Sequence, residues 1–350
     1  MRARFFTLLI LAGLITVGCS GQGGSRLSLP PLSPQRVAFA PAGHAKPYLY
    51  VGNVSSVSVY GFGESQPFRT IENSPCGNQL VFNGAGDLYV LCSGIDVGQI
   101  AQYAAGTSRK LREFNGEGVP SIAVDAEGYL YLAGGGEVYV YPPEGTKLWH
   151  RIVRDARQPS ALLFNKEGDL FVAHLRGVGI FGPGSPGKPK LLRGIKAGIR
   201  GPRAIALSRS GELFVANCLT CIYNDRRDSV TVYAKGGSQP IRTILEGVRT
   251  PFALAVDSKD RLYVANIPIV HNTLRRGFVS VYAPGSTTPL RKITEGVNRP
   301  FAIAVDRDDN LYVANSYANS VTVYNPGGSR LLRRVTRGVK YPTALAFSDY

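Results

Sequence analysis

Apolar runs of four or five residues, separated by turn residues, recur along most of this chain. Pro300–Tyr324 shows one period: PFAIAVDRDDNLYVANSYANSVTVY. Ala302–Val305 is one apolar run, Asp306–Asn310 a turn, Leu311–Ala314 a second run and Val321–Tyr324 a third. A fourth, Leu331–Val335, follows Asn325-Pro326-Gly327-Gly328. Short runs rich in Val, Ile and Tyr, punctuated by Asp, Asn and Gly, predict antiparallel strands joined by hairpins. Past residue 20 no segment sustains a 3.6-residue period, which excludes helical solenoids.

The unit repeats. Its second strand recurs at Leu49, Leu88, Leu130, Leu170, Leu213, Leu262 and Leu311, at spacings of 39, 42, 40, 43, 49 and 49 residues. The third recurs from Val57–Tyr60 to Val321–Tyr324, and the fourth from Phe68–Ile71 to Leu331–Val335. Four strands per period of this length predict a β-propeller blade. The fold class is therefore all-β: seven four-stranded antiparallel blades, with six as the rival count. The chain ends in Pro342-Thr343-Ala344-Leu345-Ala346-Phe347, a first strand with no second strand after it. The first blade has only the weak Val37–Ala40 ahead of Leu49. The tail strand is thus expected to complete the first blade and close the ring, which removes open sheet edges and favours a monomer; the alternative is Val37–Ala40 in the inner place with the tail strand elsewhere.

Pro251-Phe-Ala-Leu-Ala-Val-Asp257 with Leu262-Tyr-Val-Ala-Asn266, and Pro300–Asp306 with Leu311–Asn315, resemble NHL-repeat and YVTN-type propellers. The resemblance spans about residues 37–350. It implies the fold and leaves function open, because such propellers host enzymes and binding modules alike.

Residues 1–18 read as an export signal: Arg2 and Arg4, then an apolar run from Phe5 to Val17 that is short for a membrane span. Cys19 after Thr16-Val17-Gly18 looks like a lipobox cysteine, with Thr16 at a place that usually holds Leu. Lipidation there would tie the chain to a membrane without spanning it. Residues 19–35, rich in Ser, Gly and Pro, read as a tether, and 36–350 as the propeller. The expected location is the bacterial cell envelope, lipid-anchored, with soluble secretion as the alternative.

Four further cysteines fit an exported chain. Cys76 precedes the first strand of blade two and Cys92 ends its second strand, so antiparallel pairing predicts a Cys76–Cys92 disulfide. Cys218 and Cys221 share one loop and could staple it. Redox or zinc use of that CxxC pair lacks a helix start or a second ligand pair.

Net charge is +16, or +14 without Arg2 and Arg4. Loops from fourth to next first strands share a face with loops from second to third strands, and in these loops basic residues, including Arg203, Arg249 and Arg299, outnumber acids such as Asp155, Asp228, Glu246 and Glu295. That face should attract anions. Export makes nucleic acid a poor partner, leaving an anionic ligand or a protein partner. The longest loops, Asn217–Ser229 and Ile267–Phe278, sit there too, where specificity is usually placed. Arginines on the fourth strands, such as Arg69 and Arg333, are explained by protection of outer edges.

Second strands end in Asn53, Cys92, Gly134, His174, Asn217, Asn266 and Asn315, which should ring the channel rim. Asn217, Asn266, Asn315 and His174 join the arginines as binding candidates, although such asparagines also bond loop backbones. Gluconolactonase-like propellers hold a metal with Glu, Asn and Asp, and no acid stands at these strand ends. His174 with His271 is the one histidine pair for a metal-dependent lyase or lactonase, and no nucleophile with a partnered base is visible. Turns such as Asp306-Arg-Asp-Asp309 read as self-capping rather than calcium-binding, because sister turns lose the carboxylates. The sequence points to a binding module without cofactor; an enzyme or a structural scaffold are the alternatives.

Overall fold

A computed structural model describes residues 47–93, 98–116, 118–218, 228–270 and 273–348. Seven four-stranded antiparallel sheets stand around a central channel, a seven-bladed β-propeller. The inner strands are Gln79–Phe82, Ser121–Val124, Pro159–Phe164, Pro202–Leu207, Pro251–Val256, Pro300–Val305 and Ala344–Ser348. Each contacts the next, and Ala344–Ser348 touches inner strands on both sides, so the ring is closed.

Closure is made as the sequence predicts. Ala344–Ser348 pairs with Tyr48–Gly52, Val51 opposite Leu345, and supplies the inner strand of blade one. The inner place is therefore filled from the tail; Val37–Ala40 lies outside the described residues, as do the signal, Cys19 and the tether.

Second and third strands are buried almost throughout, as in Leu213–Asn217 and Ser229–Tyr233. Both sheet faces press on neighbouring blades, so these strands run continuously apolar instead of alternating. Each buried Val, Leu or Ile side chain contributes about 1.5–3 kcal/mol. Outer strands alternate, with one side on the core and the other in water, as in Leu331–Val335.

The turns between first and second strands follow one chemistry. In six blades the leading side chain accepts the backbone N–H four residues on: Asn83 from Asp87, Asp125 from Tyr129, Asn165 from Asp169, Ser208 from Glu212, Asp257 from Arg261, Asp306 from Asn310. Asp260 and Asp309 hold the left-handed place, φ 58° and 62°, that glycine takes in sister turns. Their carboxylates also accept N–H groups of Arg209 and Ser258 in the preceding blade. These carboxylates serve the turns and tie neighbours together.

Fourth-strand arginines do more than guard edges. Arg69 donates to the Gly106 carbonyl, Arg112 to Gly145 O (2.7 Å) and Arg193 to Gly236 O (2.6 Å), each in the next blade. Arg242 instead forms a two-pronged pair with Glu212 of its own blade, at 3.0 and 2.7 Å.

Candidate functional site

Alternation of strand direction puts two loop sets on one end of the ring: fourth-to-first between blades and second-to-third within a blade. The face they form is built on a repeated clamp. In blade six, the Asn266 side-chain oxygen accepts the Arg249 N–H (2.8 Å), and its amide donates to Val264 O (2.9 Å) and Ser280 Oγ (3.4 Å). Ser280 then donates to Gly247 O (2.7 Å) and Tyr282 to Glu246 O (2.6 Å). Asn217 with Thr231 and Tyr233, Asn315 with Thr322 and Tyr324, and Asn53 with Ser58 and Tyr60 act in the same way. The clamped loops share a left-handed glycine, Gly198, Gly247, Gly296 or Gly338. All four asparagines are at most 1% exposed. The loop-bonding alternative thus accounts for Asn217, Asn266 and Asn315, whose amides are turned to the scaffold.

Blades two to four depart from the clamp. In blade two, Cys92 stands at the asparagine position and forms a disulfide with Cys76 in the preceding loop, a covalent tie at the same place. In blade three the position is Gly134, and a cavity of about 130 Å³ lined by Gly116, Val119, Leu132, Gly135, Tyr139 and Tyr141 lies nearby. In blade four it is His174, 5% exposed, with Nε2 lacking a described hydrogen-bond partner. Gly179 replaces the clamp hydroxyl, and a Cβ there would collide with the Asp155 carbonyl. Burial pushes His174 below the ordinary histidine value, opposed by the nearby Asp155 carboxylate. His271, its expected companion, lies outside the described residues. Cys218 takes part in a disulfide; Cys221 also lies outside them.

The three arginines differ in setting. Arg203 follows the proline that opens its inner strand and stacks on Phe252 of the next blade at 4.0 Å. Phe252 meets Phe301 edge-on at 5.3 Å, and both rings are buried in the core between blades. Burial pushes Arg203 down to about 9, so it stays cationic at neutral pH. Arg249 is exposed beside the Asn266 clamp. Arg299 lies over the Tyr317 ring at 3.5 Å and donates to Leu274 O (2.8 Å). Two of the three guanidiniums, Arg203 and Arg299, are thus held against aromatic rings, and the acids Glu246 and Glu295 stand in the loops that carry Arg249 and Arg299. The sequence marked the arginines; it missed Phe252, Phe301 and Tyr317, whose signal was an aromatic just after the strand-opening proline or just past the second-strand asparagine.

Among the described residues, no group of three or more His, Cys, Asp or Glu side chains is placed to hold a metal ion. No helix among them is long and apolar enough to cross a membrane.

No protein-family model and no curated protein matches the chain. Solved structures do match its fold. A Lactobacillus plantarum protein aligns with TM-score 0.70 at 17% identity, over 87% of this chain and 99% of its own. A candidate 6-phosphogluconolactonase from Bacteroides fragilis aligns with TM-score 0.69 at 15% identity, over 89% and 100%. The periplasmic gluconolactonase of Pseudomonas aeruginosa aligns with TM-score 0.65 at 18% identity, over 87% and 100%. The chain is similar to all three in its seven-bladed ring, and at these identities the likeness concerns fold.

Proposed function

We propose that this chain is an envelope-associated binding module of the NHL-repeat type, which holds an anionic ligand on its cationic loop face. The observation that carries the reading is the pair of ring-backed guanidiniums, Arg203 on Phe252 and Arg299 on Tyr317, with exposed Arg249 between them in chain order. Fixed cations lose little side-chain entropy when an anion docks. The Cys76–Cys92 disulfide fits an oxidising compartment, and export with a lipid anchor at Cys19 agrees with that.

The test is binding of the purified chain to soluble polyanions at low and high salt. The triple variant Arg203→Glu, Arg249→Glu, Arg299→Glu is expected to abolish binding, and salt is expected to weaken it in the parent. Absent or salt-insensitive binding would contradict the reading.

The second reading is a sugar lactonase. It is favoured by the fold likeness to the candidate 6-phosphogluconolactonase of Bacteroides fragilis and the periplasmic gluconolactonase of Pseudomonas aeruginosa. His174 and His271 would then be the histidines to test. Hydrolysis of glucono-1,5-lactone above the spontaneous rate, lost in His174→Ala, would establish it.

A further inference from the structure

Five blades place a left-handed residue directly before a proline that opens the inner strand or, in blade one, stands two residues ahead of it. These are Gln158, Gly201, Thr250, Arg299 and Tyr341, with φ between 44° and 55°. Glycine suits that backbone, and Gly201 shows the ring accepts it. A bulky side chain there is strained, and strain of this kind persists where something compensates. Thr250 is compensated by burial and by its N–H bond to Asp228 Oδ2 (2.7 Å). Gln158 is exposed, unbranched and neutral.

Tyr341 is different, because it is bulky and the scaffold leaves it exposed, whereas half-buried Arg299 donates its N–H to the Arg276 carbonyl and accepts the Ser316 N–H. Tyr341 is 39% exposed and Tyr317 47% exposed. The two rings meet edge-on at 6.1 Å, and Arg299 covers Tyr317. The Tyr341 backbone is held by its N–H bond to Asn319 Oδ1 (2.7 Å), and Asn319 is itself left-handed. Exposed Arg276 donates from Nε to Val297 O (3.1 Å) beside this group, and exposed Lys340 adjoins Tyr341. Glu295 is the acid in the same loop as Arg299.

Resting on the anion-binding reading above, we propose that Tyr317, Tyr341, Arg299 and Lys340 form a docking platform for an acidic polysaccharide, one built of pyranose rings that bear carboxylates. The exposed Tyr341 ring offers a flat face to the C–H face of a sugar, while Tyr317 lies beneath Arg299 and supports the guanidinium. Arg299 uses one described donor, of its five, toward Leu274 O, and a guanidinium edge matches a carboxylate. An acidic peptide backbone would satisfy the cations but would leave the exposed Tyr341 ring without a matching flat partner.

The experiment titrates the full chain with oligogalacturonate, neutral galactan and polyglutamate, and repeats it with Tyr341→Gly and Tyr317→Ala. The expected result is oligogalacturonate binding well above that of the other two probes. Each tyrosine variant should weaken it tenfold or more, while Tyr341→Gly keeps or raises the thermal midpoint because the strain is released. Equal or tighter binding of polyglutamate, unchanged oligogalacturonate affinity in both variants, or a lowered midpoint in Tyr341→Gly would overturn the platform. If the triple arginine reversal abolishes binding while the tyrosine variants do not, the cationic face stands and the platform falls.

Discussion

A single residue reveals how far the repeat has diverged in blade four. His174 stands where four other blades have a buried asparagine, and its pKa is lowered by burial. The unfolded chain then binds the proton more readily than the folded one. Stability is full above the ordinary histidine value of 6.5 and falls as pH drops below it. Thermal melts across pH 5–8 should show this loss, and His174→Asn should flatten it. Asp125 titrates in the opposite sense. Its pKa is raised by burial, so the folded state holds the proton more readily, and stability falls as pH rises through the window above 3.8. Asp125→Asn should remove that slope at little cost, since Asn83 and Asn165 accept the equivalent bond in sister turns. Neither residue's setting was legible in the sequence. Strand ends were visible, but burial and the orphaned Nε2 depend on the approach of the loop that carries Asp155.

At the scale of the element, the clamp is the unit that shapes the loop face. Asn266→Ala would take from the Arg249 N–H its described acceptor, at a cost of about 1–3 kcal/mol read from the denaturant midpoint. Tyr282→Phe, which removes the bond to Glu246 O, should cost about 1 kcal/mol. The sequence displayed the letters of this clamp: an asparagine ending strand two, then Ser or Thr two residues before Tyr on strand three. It did not display their purpose, because the partners are loop carbonyls far away in the chain, Gly338 for Asn53 among them. The short turns were easier. Their capping side chain and its N–H are four residues apart, so the pattern shows within one window. Fourth-strand arginines were legible as charges on an edge, but their reach into the next blade follows from the spacing of blades around the ring.

For the whole molecule, the period of the apolar runs gave blade number and strand order, and the unpaired tail strand gave closure. These were legible because each blade repeats one local pattern, and because a lone first strand at the tail matched a first blade whose own candidate, Val37–Ala40, was weak. Removing residues 342–350 should expose the Tyr48–Gly52 edge, broaden the unfolding transition and promote self-association, which light scattering would detect. The double variant Cys76→Ala, Cys92→Ala should lose about 3 kcal/mol, given the sequence separation of 16. The proposed binding face depends on the same ring, since Arg203 meets Phe252, and Tyr317 meets Tyr341, only across blade boundaries.

Amide hydrogen exchange with and without a saturating acidic oligosaccharide tests the loop face most directly. Slower exchange is expected in residues 297–300, 316–319 and 339–343, with the opposite end of the ring unchanged. Protection confined to the turns between first and second strands, or no protection anywhere, would contradict the account.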